Sequence, residues 1–216
     1  MACQQGHLEC VRLLLEAGAV VNQAKADGAT PLFIACEKGR LECARLLLEA
    51  GAAVNQADSE GRTPLYIASL QGHDQCVRLL LEARAAVKQA AADGATPLLL
   101  ACHYGHVEIA RLLLEANAAV NQATARGATP LFIACQNGHL GCARLLLEAS
   151  AAVNQADEDG ATPLYIACQE GHLDMARLLL EAGAVVDQAK QNGATPLLGA
   201  CFQGHLEVAK LLSSYG

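Results

Sequence analysis

The sequence predicts an all-α solenoid of stacked helix-turn-helix repeats. Three observations carry that prediction. Thr-Pro-Leu recurs at Thr30, Thr63, Thr96, Thr129, Thr162 and Thr195, always 33 residues apart and without insertion. A Leu-Leu-Leu-Glu-Ala block follows in most copies and is apolar on two flanks of a helix. Aromatic residues are only 3% of the 216 and Trp is absent, so the interior is left to Leu, Ala, Val and Cys. A fixed period of this length marks a repeat array. It divides residues 1–216, read as one domain, into five complete repeats (30–62, 63–95, 96–128, 129–161 and 162–194) between a leading fragment, 1–29, and a trailing one, 195–216.

One repeat explains its own elements in order. Thr30 is placed as a helix N-cap, with a hydroxyl able to accept from an unpaired backbone N–H. Pro31 stands at the first helical position, where its missing N–H costs nothing. Leu32, Ile34 and Ala35 begin a short helix that Gly39 ends. A second helix starts after Arg40, a slot held by His in the other copies. Along it Leu41, Ala44, Leu47 and Leu48 form one apolar stripe, and Cys43, Leu46 and Ala50 a second. Glu42, Arg45 and Glu49 mark the wet face, with Arg45 and Glu49 spaced for an i, i+4 pair. Gly51 ends this helix in a left-handed conformation. Asp58, Ser59 and Gly61 then form a turn before the next Thr-Pro-Leu. A helix with two apolar flanks needs cover on both sides, which an identical neighbour before and after supplies.

The 33-residue period, T-P-L-x-x-A, the Gly-His step, L-L-L-E-A-G-A and the following Val-Asn together resemble an ankyrin-repeat array over the whole chain. The resemblance implies helix pairs joined by short β-hairpin loops, an L-shaped section, and a curved stack whose concave surface binds another protein. The chain departs from the family pattern in places. The slot after Thr-Pro-Leu, often His in the family, holds Phe33, Tyr66, Leu99, Phe132, Tyr165 and Leu198. The helix-ending Gly is replaced by Arg84, Asn117 and Ser150, which predicts softer middle repeats. Met1 falls inside what would be a first helix, so the leading repeat lacks its own Thr-Pro-Leu. Ser213 replaces a Leu in the last repeat and reads as a polar cap.

Charge and composition exclude several classes. Net charge is −7, with 15 basic residues spread thinly against 22 acidic ones, so no basic stripe suits nucleic acid. No apolar run is long enough for a membrane span, and the N-terminus does not read as a secretory signal. The ten Cys are therefore expected as reduced thiols in a cytosolic or nuclear protein. Two Cys rows recur, one in each helix. Ile109, Met175 and Val208 replace Cys in the second row, so the slot reads as a buried apolar position. No C-x-x-C or converging ligand set suggests a metal, and no cofactor is expected. Arg40 in the His row argues against that row as a ligand or base set. Nucleophile-elbow, zincin, P-loop and dinucleotide motifs are absent, so no enzyme is expected.

Positions that vary against a constant frame mark the candidate binding surface. Leu70, His103 and Tyr104 are the expected anchors, with Gln71, Gln136, Asn137 and Phe202 in the same slots of their helices. Asp58, Glu60, Arg62, Asp93 and Arg126 at the loop tips are the expected rim charges. The reading is a monomeric, non-enzymatic module that binds an unidentified protein. A structural spacer without a dedicated ligand, natural or consensus-like, is the alternative, favoured by near-identical repeats and Ala-rich tips. A redox or metal function through the Cys rows is a third.

Overall fold

The computed structural model describes residues 2–215; Met1 and Gly216, the outermost residues of the expected array, lie outside them. The chain divides into two compact bodies, residues 1–101 with 111–118, and residues 102–110 with 119–216. The first holds α1 (Ala2–Gln5), α2 (Leu8–Glu16), α3 (Pro31–Glu37), α4 (Leu41–Glu49), α5 (Pro64–Gln71) and α6 (Asp74–Glu82). Helices α7 (Pro97–His103) and α8 (Val107–Glu115) contribute to both bodies. The second holds α9 (Pro130–Gln136), α10 (Leu140–Glu148), α11 (Pro163–Gln169), α12 (Leu173–Glu181), α13 (Pro196–Gln203) and α14 (Leu206–Ser213). In the first body α1, α3 and α5 pack in sequence, as do α2, α4 and α6. In the second, α9, α11 and α13 form one such row and α10, α12 and α14 the other.

The expected caps are in place. The Thr30, Thr63, Thr129 and Thr162 hydroxyls each accept from the backbone N–H three residues on, at 3.1 Å. Each Thr is followed by Pro at the first helical position. Arg84, Asn117 and Ser150 adopt left-handed backbone at φ 61°, 62° and 64°, the conformation the replaced Gly would supply. The core is formed by aliphatic side chains at recurring positions: Leu32, Leu65, Leu131 and Leu164 from first helices, Leu47, Leu80, Leu146 and Leu179 from second helices.

Three expectations are corrected. The loops are not strand hairpins, since no described residue is in a strand. Each closes instead with two backbone bonds across its turn, such as Asp58 N–H to the Arg62 carbonyl at 3.0 Å and Gly61 N–H to the Asp58 carbonyl at 3.1 Å. Successive loops are bonded to each other as well, as when Ser59 N–H donates to the Asp27 carbonyl of the preceding loop at 2.9 Å. Arg45 pairs with Glu42 at 3.8 Å rather than with Glu49. Ser213 does not seal the trailing end: its hydroxyl turns back to the Ala209 carbonyl at 2.9 Å, and Leu198, Phe202 and Leu206 stand exposed.

Thr129→Ala is expected to lower unfolding free energy by about 1 kcal/mol in urea titration, through the lost cap. Arg84→Gly and Ser150→Gly are each expected to raise it by up to about 1 kcal/mol, because a Cβ is disfavoured at their φ.

Candidate protein-binding surface

Polar ladders between repeats hold the loops and first helices in register. Asn22, Asn55, Asn121 and Asn154 each use Oδ1 to accept from a backbone N–H 31 residues on, at 2.8–2.9 Å. The His row makes a second ladder. The Nε2 atoms of His73, His139 and His172 lie 3.2, 3.0 and 3.2 Å from the carbonyls of Glu37, His103 and Gln136. A carbonyl only accepts, so the bonded nitrogen carries the proton. Arg40 serves the same way, its Nε donating to the Gln4 carbonyl at 3.4 Å. The rings do not cap their own helices. They lie over the Gly of the preceding repeat: a Cβ on Gly138 would come within 2.8 Å of the His172 ring, and Gly138 also has φ +71°.

The Cys rows are interior. Cys36, Cys43, Cys76, Cys102, Cys135, Cys142 and Cys168 are buried free thiols. Burial pushes the Cys168 thiol up to about 12 and Cys135 further. Hydrogen bonds to Cys76 and Cys142, together with burial, hold Cys36 and Cys102 protonated. Among the described residues no three His, Cys, Asp or Glu side chains converge as a metal site would need.

Asp58 is not a rim charge. Its side chain is 2% exposed and accepts from the backbone N–H groups of Glu60 and Arg62 and from the Arg62 guanidinium. Burial pushes its carboxyl up, but the Arg62 bonds and backbone donors outweigh that and hold it below the ordinary 3.8. Arg62 also pairs with Glu60 at 3.1 Å and lies 6.0 Å from the Phe33 ring centre. Glu60, Arg62 and Asp93 flank one small cleft of about 140 Å³ beside Tyr66 in the first body.

The second body holds a larger groove of about 410 Å³. Its walls are the loops around Thr124–Ala128 and Asp157–Ala161 with Lys190, and its floor is Phe132, Ile133, Tyr165 and Ile166 on α9 and α11. Arg126 and Gln136 line it. Lys190 Nζ stands 5.0 Å over the Tyr165 ring. His103 and Tyr104 meet edge to face at 4.6 Å, and Tyr104 stacks on His106 at 6.1 Å while remaining 50% exposed. The other expected residues lie outside both recesses. Leu70 and Gln71 sit on the last turn of α5, half-buried and exposed. Asn137 turns its amide back to the Ile133 carbonyl at 2.9 Å. Phe202 is 89% exposed on α13.

A family model for ankyrin repeats in three copies matches residues 1–91, 84–157 and 149–216. The chain belongs to the ankyrin-repeat family. The crystal structure of the human ASB11 ankyrin repeat domain is similar to this ankyrin-repeat chain at 31% identity and TM-score 0.88. That match covers 98% of this chain and 95% of the other. No curated protein sequence matches significantly. The family is generally one of protein-interaction modules, and no helix described in this ankyrin-repeat chain is long and apolar enough to cross a membrane.

Asp58→Asn is expected to destabilise the protein by about 1–2 kcal/mol at neutral pH, discounted for solvent at Arg62. The folded carboxyl titrates below its unfolded value of 3.8, so this stabilisation is complete above pH 3.8 and fades as pH falls through the folded value. Urea titrations of both forms should therefore converge in acid.

Proposed function

We infer that this ankyrin-repeat chain is a non-enzymatic binding module that takes an extended segment of a partner protein in the groove of its second body. A function in a reducing cytosolic or nuclear compartment fits its ten free cysteines. The groove itself is the observation that carries the reading: an apolar floor with Arg126 and Lys190 on its rim. Arg126 has no ion-pair partner among the described residues, so its charge is available. Gln136 and Gln169 line the same groove. Since His139 and His172 bond the carbonyls of His103 and Gln136, these two residues occupy the same place in successive repeats. Tyr104, with His103, supplies an aromatic anchor at the start of that row.

The partner segment this chemistry fits has an apolar side chain for Ile133 and Ile166 and an acidic one for Arg126 and Lys190. Glu60, Arg62 and Asp93 belong to a secondary contact, and Asp58 acts only by holding Arg62. Leu70, Gln71, Asn137 and Phe202 are peripheral in this reading.

Selection from a displayed library of random peptides should enrich sequences that pair acidic with apolar residues. For the best such peptide, Arg126→Glu is expected to raise Kd about tenfold, equal to ~1.4 kcal/mol, and Tyr104→Ala is expected to weaken binding with little loss of stability. Isothermal titration and urea titration read these effects. No enrichment over a scrambled-surface control would favour the spacer reading instead.

A further inference from the structure

The second body repeats a small assembly of the first with one member replaced. In the first body the two oxygens of the Asp58 carboxylate do different work. Oδ1 accepts from the backbone N–H groups of Glu60 and Arg62 at 3.0 and 2.9 Å, which shapes the turn. Oδ2 accepts from the Arg62 guanidinium, from Nε at 2.7 Å and from Nη2 at 2.6 Å. Glu60 takes the remaining amino group, Nη1, at 3.1 Å, and the guanidinium carbon stands 6.0 Å from the centre of the Phe33 ring. A guanidinium held by two carboxylates and a ring is fixed in both position and direction.

Three 33-residue repeats later, Phe132, Asp157 and Asp159 hold the places of Phe33, Asp58 and Glu60. Asp157 Oδ1 makes the same two backbone bonds, from the Asp159 N–H at 3.0 Å and the Ala161 N–H at 2.8 Å. Phe132 is buried in its repeat as Phe33 is. The place of Arg62, however, is taken by Ala161. No donor among the described residues reaches Asp157 Oδ2, and neither Asp157 nor Asp159 has an ion pair there. Exposure follows: Asp58 is buried, whereas Asp157 is only half-buried. Phe132, Asp157 and Ala161 all line the groove of about 410 Å³. Lys190 lines it too but does not take the place of Arg62. Its ammonium sits over the Tyr165 ring, and an ammonium lacks the planar pair of donors that Arg62 gives Asp58.

We propose, resting on the groove reading above, that the partner segment inserts an arginine side chain into the place left by Ala161. Its guanidinium donates to Asp157 Oδ2, lies over Phe132 and pairs with Asp159, as Arg62 does with Asp58, Phe33 and Glu60. The first body thus carries a filled copy of the site that the second body leaves open, and its own Arg62 closes it to the same ligand. Arginine is required rather than lysine, because the filled copy uses the planar fork and the ring contact. Arg126 and Lys190 on the same groove repel an isolated cation. The arginine therefore arrives with the acidic residue that those two take, in a segment of mixed charge.

Two sets of measurements test the proposal, and the first needs no partner. Ala161→Arg should raise the urea midpoint with unchanged helical circular dichroism, because the new side chain fills the place itself. In an Asp157→Asn background the same change should give no gain. The second set uses peptides enriched from the displayed random library. The best binder should contain arginine. Replacing that arginine by citrulline, which keeps its shape but not its charge, should raise Kd about tenfold in isothermal titration. Ala161→Arg should weaken the unaltered peptide by a similar factor and make the citrulline replacement of no further consequence. Three results would overturn the proposal: no stabilisation by Ala161→Arg, enriched peptides that depend on Arg126 but lack arginine, or an arginine peptide that binds Ala161→Arg as tightly as wild type. The last two leave the groove reading standing, whereas a library that enriches nothing removes both.

Discussion

The molecule rests on one constraint: no repeat can bury its own apolar flanks. A nine-residue helix such as α10 carries Cys142, Ala143, Leu145 and Leu146 into the interior, and its partner α9 adds Leu131, Phe132, Ala134 and Cys135. Two short helices expose more apolar surface than they can hide between themselves. Cover comes from the repeats on either side, so cohesion is a nearest-neighbour property. The interior is lined with small and medium side chains because both helices are flanked at close range, and Ala and Cys suit that spacing.

Burial on two flanks makes register important, and polar ladders maintain it. Thr hydroxyls satisfy the first-helix N-termini, Asn side chains tie each loop region to the next, and imidazoles bridge to backbone carbonyls. These groups are local or one repeat apart, so they absorb backbone polarity that would otherwise need water. The Arg126 side chain is relieved of structural duty, while the residue's carbonyl accepts from the Glu158 N–H of the following loop at 3.1 Å. Where a tip residue does have such duty, as Asp58 does, it is withdrawn from the surface.

Much of this was legible in the sequence because it is written in period and residue type. Thr-Pro-Leu announced the first helices and their caps, and Arg84, Asn117 and Ser150 could be assigned left-handed backbone from the Gly they replace. The His row was readable as a row, but the carbonyls it bonds belong to the preceding repeat, and a carbonyl leaves no trace in residue identity. Arg40 was the available clue, since only a donor is common to Arg and His. The Asn ladder went unread for the same reason, although its 33-residue recurrence was visible. The candidate site was less legible. Asp58 and Arg126 are both charged tip residues; only the geometry of Arg62 separates a buried brace from a free cation.

The ladders also restrict how such a chain can change in length. Asn121 reaches Ala152 across 31 residues, and His139 reaches His103 across 36. The two spans overlap, and their counterparts recur along the chain. Adding or deleting one residue between them would throw several ties out of step together. Duplicating or deleting a whole 33-residue module preserves every spacing, so growth and shortening proceed by entire modules, while novelty within a module is confined to side-chain replacement.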